Sequence, residues 1–155
     1  MDDYRAYTFR VPKDHRHAIV IDIKIAIPTP LAGVPPGKKM IDTKALVDTG
    51  ASGSCISERL AAAAKLVSFT RTNARTAKGP SIVPVYHLDV LMPNKVMFPN
   101  MSISEFCEGD DFDFIIGMDI LTSGDTAITN ANNETVFSFR IPPDMAHIDF
   151  QTPVK

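Results

Sequence analysis

Residues 18–27, AIVIDIKIAI, place Ile19, Ile21, Ile23 and Ile25 on one face and Val20, Asp22 and Lys24 on the other. That period of two predicts a strand with one buried face. Pro and Gly crowd residues 28–39 and predict a loop. A second strand follows over 40–47 and ends at Asp48. Residues 57–66, SERLAAAAKL, form the only helical stretch of any length, with Ser57 as its cap and four consecutive alanines within it. GSC, residues 53–55, reads as strand leading to that cap. Beyond Val67 the pattern returns to strands. SFTRTNAR and SIVPVYHLDVLM flank TAKGPS, a long hairpin with an exposed tip. Another strand spans 95–103 after the turn at Pro93 and Asn94. In residues 110–121, DDFDFIIGMDIL, an apolar run stops at Gly117 and a short helical turn runs on to Leu121. Residues 126–129 and 135–140 flank NANNE as a further hairpin. The expectation is a mainly β protein with one short helix.

Composition narrows the function without naming it. The chain has 155 residues, 45% hydrophobic and 22% charged, enough for one domain with its own core. A net charge of −2 gives no electrostatic case for nucleic acid. There is no apolar run of about 18 residues and no signal-peptide pattern, so a cytoplasmic protein without membrane contact is expected. Cys55 and Cys107 form no CxxC pair, and His15, His17, His87 and His147 have no metal-site spacing. Neither a metal nor a cofactor is expected. The acidic residues Asp110, Asp111, Asp113 and Asp119 read as solvated loop groups and a helix-start carboxylate. Cys55 has no histidine near it in sequence, which argues against a thiol nucleophile.

One stretch carries candidate chemistry. Residues 45–55, ALVDTGASGSC, bring an apolar strand to a single carboxylate, Asp48, and then present only small residues. ALVDTGAS resembles the active-site segment of retropepsin-like aspartic proteases. The short helix, the Gly-tipped hairpin and FDFIIGMDIL follow in that family's order. FIIGMDILTSGDTAITN and FSFRIP look closest to bacterial or phage-type single-domain relatives of the retroviral enzymes. The resemblance spans roughly residues 18–141, leaving 1–17 as an N-terminal extension or extra strand and 142–155 as a tail.

The resemblance implies a closed β barrel of the acid-protease kind, with the 76–80 hairpin tip as a flap. It implies an aspartic endopeptidase in which Asp48 is catalytic. Because only one Asp-Thr-Gly occurs, it also implies a homodimer that lends one Asp48 from each chain. Thr49, Gly50, Ile116 and Gly117 would support the catalytic loop. Ala51, Ser52, Gly53, Lys78, Gly79, Ile82, Phe114 and Ile115 would meet a peptide or protein substrate. Met118 and Asp119 stand where retroviral members begin with an arginine, and the acidic residues that follow their triplet are missing here. The alternative is a dimeric peptide-binding or assembly module that uses the same fold without catalysis.

Overall fold

The stretches expected as strands are strands in the structure, a computed structural model describing residues 4–15, 17–28, 39–76, 79–106, 111–144 and 146–151. In chain order the strands are β1 (Arg5–Arg10), β2 (Val20–Ala26), β3 (Ile41–Val47), β4 (Cys55–Ser57), β5 (Thr70–Thr76), β6 (Gly79–Leu91), β7 (Met97–Phe106), β8 (Phe114–Ile116), β9 (Asp125–Ala131) and β10 (Glu134–Ile141). Two short helices accompany them, α1 (Glu58–Ala63) and α2 (Met118–Leu121). The second helix occupies the helical turn expected after Gly117. The loop expected over 28–39 lies almost wholly outside the described residues, as do Lys78 and Cys107.

Seven strands form one sheet in the order β2-β3-β8-β4-β7-β6-β5, and a further pairing of β2 with β6 closes it on itself. β3 and β8 run parallel, with Val47 opposite Ile116. β4 pairs antiparallel with β8 and parallel with β7. The two halves of the candidate site therefore meet at neighbouring strand ends. The inward positions of β2 (Ile21, Ile23, Ile25) join Ala45, Ile56, Leu88, Val90, Ile103, Phe114, Ile116 and Ile120 in one core cluster. Burying such side chains stabilises by roughly 1.5–3 kcal/mol each. That cluster supports the strand ends from one side.

Ser57 caps α1 as its position predicts: its Oγ accepts from Leu60 N at 3.0 Å. The same hydroxyl donates to Asp113 Oδ1 at 2.6 Å, and Arg59 Nη2 lies 2.9 Å from that oxygen. Asp113 is thus a half-buried tie between α1 and the start of β8, a correction to its reading as a solvated loop residue. At the other end of the chain β1, β10 and β9 form a separate three-stranded sheet. β1 lies along β10 from Arg5 opposite Ile141 to Arg10 opposite Val136.

The long hairpin is β5 and β6. Thr76 lies opposite Gly79, which leaves a two-residue connection at its tip. Gly79 has φ of 108°, a conformation that disfavours residues with a Cβ. At the base of the hairpin the Phe69 ring stacks on His87, centroids 3.7 Å apart. The Tyr86 hydroxyl donates to Glu105 Oε2 at 2.6 Å; burial and this bond push its pKa up to about 12.

Candidate active site

β3 ends at Val47, and the next residue turns out of the sheet. Asp48 N donates to Ile116 O on β8 at 3.0 Å, so the backbone carrying the carboxylate is fastened to the neighbouring strand. Asp48 Oδ1 accepts from Gly50 N at 2.8 Å, an Asx-turn bond that orients the carboxylate with local backbone. The residue is half-buried, while Thr49, Gly50 and Ser52 are exposed around it. One carboxylate oxygen is thereby engaged, beside a surface with almost no side chains. A Cβ on Gly50 would stand 3.1 Å from Asp48 Oδ1, so a side chain there would crowd the carboxylate itself.

The loop is fastened again at its far end. Met118 N donates to Ala51 O at 2.8 Å. Ser54, only 1% exposed, donates through its backbone N to Asp119 Oδ2 at 2.9 Å and through its hydroxyl to Asp119 Oδ1 at 2.7 Å. Ser54 Oγ also accepts from Gly117 N at 3.1 Å. Asp119 Oδ1 takes a further bond from Ile120 N at 2.9 Å. One carboxylate in the first turn of α2 thus holds the far end of the loop that begins with Asp48. Gly117 makes this closeness possible. A Cβ there would sit 2.6 Å from Gly53 C, 2.7 Å from Gly53 O and 2.9 Å from Ala51 O.

Among the residues singled out from sequence, Asp48, Thr49, Gly50, Ala51, Ser52, Gly53, Ile116 and Gly117 gather in this one assembly. Phe114 does not belong to its open side. It has no exposed surface and is part of the core cluster, so it supports the β8 strand and is no wall for substrate. Ile115, next along the strand, is half-buried and pairs with Leu46. Gly79 lies at the tip of the β5–β6 hairpin, and Ile82 beside it is 62% exposed. A Cβ on Gly53 would meet nothing within 4 Å, so the crowding in the loop falls on Gly117.

The latch to Ser54 makes Asp119 more than the helix-start carboxylate its position suggests. Its partner lies 65 positions away, and no periodicity links the two. The one local sign is an acidic residue two places after the glycine that ends β8. Asp119→Ala would leave the buried Ser54 N–H and hydroxyl without their acceptor, at a cost of about 1–3 kcal/mol. Calorimetry should show the lowered midpoint, and Asp119→Asn, which keeps one acceptor oxygen, should lose less. Equal stability for Asp119→Ala and the wild type would dismiss the latch.

Cys55 lies close to this assembly without the character of a nucleophile. Its Sγ is 3.2 Å from Ser104 Oγ. Burial pushes the thiol pKa up, only partly opposed by the Ser104 bond, and Asp119 and Asp48 raise it further. The thiolate is therefore scarce near neutral pH. Among the described residues no group of three or more His, Cys, Asp or Glu is arranged to hold a metal ion. No helix among them is long and apolar enough to cross a membrane.

The family described as gag-polyprotein putative aspartyl protease matches residues 38–123, more than half of the chain and the whole of the loop-and-latch assembly. The chain belongs to that family. Its fold is similar to the crystal structure of a retropepsin-like aspartic protease from Rickettsia conorii, with a TM-score of 0.53 and 14% identity over 89% of this chain and 95% of that one. The retroviral protease-like domain of Ddi1 from Leishmania major is a more distant likeness, at a TM-score of 0.41 and 18% identity over 76% of this chain and 91% of that one. Comparison with curated proteins gives no match.

Proposed function

We propose that the protein is an aspartic endopeptidase, active as a homodimer in which the Asp48 carboxylates of two chains face one water. The observation that carries this reading is a single half-buried carboxylate held at the end of β3 by Ile116 O and Gly50 N. It stands in a loop stripped of bulky side chains and anchored at both ends. Membership of a family described as aspartyl proteases supports it.

The chemistry follows from two like charges a few Å apart. Both cannot remain ionised, so the pair shares one proton, as in the pepsin dyad. The ionised Asp48 takes a proton from water as the water oxygen bonds to the peptide carbonyl carbon. The partner's Asp48, protonated, gives its proton to the carbonyl oxygen. The resulting diol collapses, the C–N bond breaks, and the nitrogen leaves with a proton returned by the pair. Titration would belong to the pair and not to either chain.

Thr49, Gly50 and Ala51 are small enough for two such loops to approach, and the Thr49 hydroxyl is exposed for a bond across the interface. The β5–β6 hairpin would close over an extended peptide, its backbone pairing with substrate as an added strand. Gly79 and Ile82 are its described candidates for contact, with Ser52, Gly53 and Ile115 beside the loop. Lys78 belongs to the same proposal on sequence grounds.

The test is cleavage of a peptide pool read by mass spectrometry, from mildly acidic to neutral pH and over a series of protein concentrations. The expected result is cleavage whose rate per chain rises with concentration until dimers predominate. Absence of cleavage throughout, from a chain that does dimerise, would favour a peptide-binding module on the same fold.

A further inference from the structure

Strand register divides the strands around the site into two faces. Ala45, Phe114 and Ile56 lie opposite one another across β3, β8 and β4, and all three are fully buried. Their neighbours in sequence point to the other side. There Leu46 lies opposite Ile115, Ile115 opposite Cys55, and Cys55 opposite Ser104 on β7. Paired residues share a face, so these four side chains form one row across four adjacent strands. All four are half-buried, on the face that the core does not use. Asp48 stands two places beyond Leu46, its N–H still bonded to β8, so the alternation carries it to the same side. The row thus begins beside the candidate catalytic carboxylate.

Leu46 and Ile115 make half of this row aliphatic, and Cys55 and Ser104 make the other half polar. Cys55 Sγ lies 3.2 Å from Ser104 Oγ and 3.5 Å from Gly53 O, to which it donates. A thiol has one hydrogen, whereas a hydroxyl has one donor and two acceptor positions. If the thiol donates to Gly53 O, Ser104 donates to the sulfur and keeps its oxygen lone pairs. If the thiol donates to Ser104, the serine hydrogen stays available. In both states Ser104 Oγ can take one more partner. We infer that this row is a side-chain pocket beside the scissile bond. Cys55 and Ser104 make it select a neutral side chain with a hydrogen-bonding end, such as Gln, Asn or Thr, over an aliphatic one of equal size.

The inference rests on the reading above, in which a peptide lies across Asp48, and it names the side chains such a peptide presents. Charge narrows the class. Asp48 and Asp119 both oppose ionisation of the Cys55 thiol, so an acidic end beside it meets the same repulsion. A cationic end would be desolvated against Leu46 and Ile115 while both Asp119 oxygens are held by the latch. A neutral amide or hydroxyl avoids both costs. Its apolar stem lies along Leu46 and Ile115, and its end meets Ser104 Oγ. The row also replaces Phe114, on the opposite face, as the wall of the cleft on β8 and its neighbours.

The test uses the full chain and peptides that differ at one residue near the cleaved bond, Gln against Met and Thr against Val. Each pair is close in size and differs in hydrogen bonding. A peptide pool first locates the position at which wild type favours Gln, Asn or Thr. The ratio of kcat/KM within each pair is then compared with that of Ser104→Ala and of the double variant Cys55→Val with Ser104→Ala. The polar member should lose about fivefold against the aliphatic one, the worth of one ordinary hydrogen bond. Ser102→Ala, exposed and two places along β7 on the same face, should leave the ratio unchanged. Circular dichroism checks the fold, and Ser104→Ala alone carries the result if the double variant does not fold. Cleavage with no polar preference, or with one that survives in folded Ser104→Ala, would overturn the inference and keep the protease. If nothing is cleaved, anisotropy of the same peptides, fluorescently labelled, reads binding. Selective binding of the polar member that Ser104→Ala erases would keep the inference and remove the protease reading. Binding without selection, or no binding, would overturn both.

Discussion

Asp48→Asn is expected to abolish peptide cleavage, with a loss of at least about 10³-fold, while fold and dimer persist. Asparagine keeps the shape of the side chain, and its Oδ1 can still accept from Gly50 N. The Asp48 N–H bond to Ile116 O involves backbone alone and is unaffected. What disappears is the ability to take and hold a proton, on both sides of the pair at once. General acid and base contributions are each worth about 10²–10⁴, so losing both leaves little residual rate. Mass-spectrometric cleavage assays beside circular dichroism and sedimentation separate the chemistry from the fold. Cleavage surviving in a folded variant would mean that Asp48 is not the reactive group.

Gly117→Ala should have the largest structural effect at the site. Its methyl group would lie 2.6–2.9 Å from backbone atoms of Gly53 and Ala51. Such approaches force backbone to move, and neither neighbour is the yielding end of a flexible side chain. Overpacking typically costs about 1–3 kcal/mol, and this position is at the upper end because the displaced atoms are main chain. The strain falls on the bonds from Met118 N to Ala51 O and from Gly117 N to Ser54 Oγ. Cleavage should therefore fall together with the thermal midpoint, although Asp48 itself is untouched. Wild-type stability and activity in Gly117→Ala would show that the loop does not depend on its seat against α2.

Much of this assembly is visible in the sequence because its causes are local. Alternation over 18–27 predicts β2, the alanine run behind Ser57 predicts α1, and the break at Gly117 predicts the start of α2. Each depends on residues a few positions apart. Asp48 stands out because a strand-forming run leads to a carboxylate and then to residues with almost no side chain. The parts that sequence leaves dark depend on partners far along the chain. The apolar run Phe114–Ile116 predicts a buried strand without saying which of its side chains point inward, and strand pairing decides that Phe114 does. The latch joins a serine and an aspartate whose types alone are unremarkable at either place. The pairing of β1 with β10 joins strands such as those of Thr8 and Ser138, 130 positions apart, and no local pattern encodes such a register.

On the proposed mechanism, catalysis needs two Asp48 carboxylates from two chains. Mixing wild type with Asp48→Asn tests it most directly, at fixed total concentration and after the subunits have exchanged. If mixed dimers hold one competent carboxylate and cannot share a proton, the cleavage rate falls as the square of the wild-type fraction. A rate that falls in simple proportion to the wild-type fraction would mean that each chain works alone, and would contradict the claim.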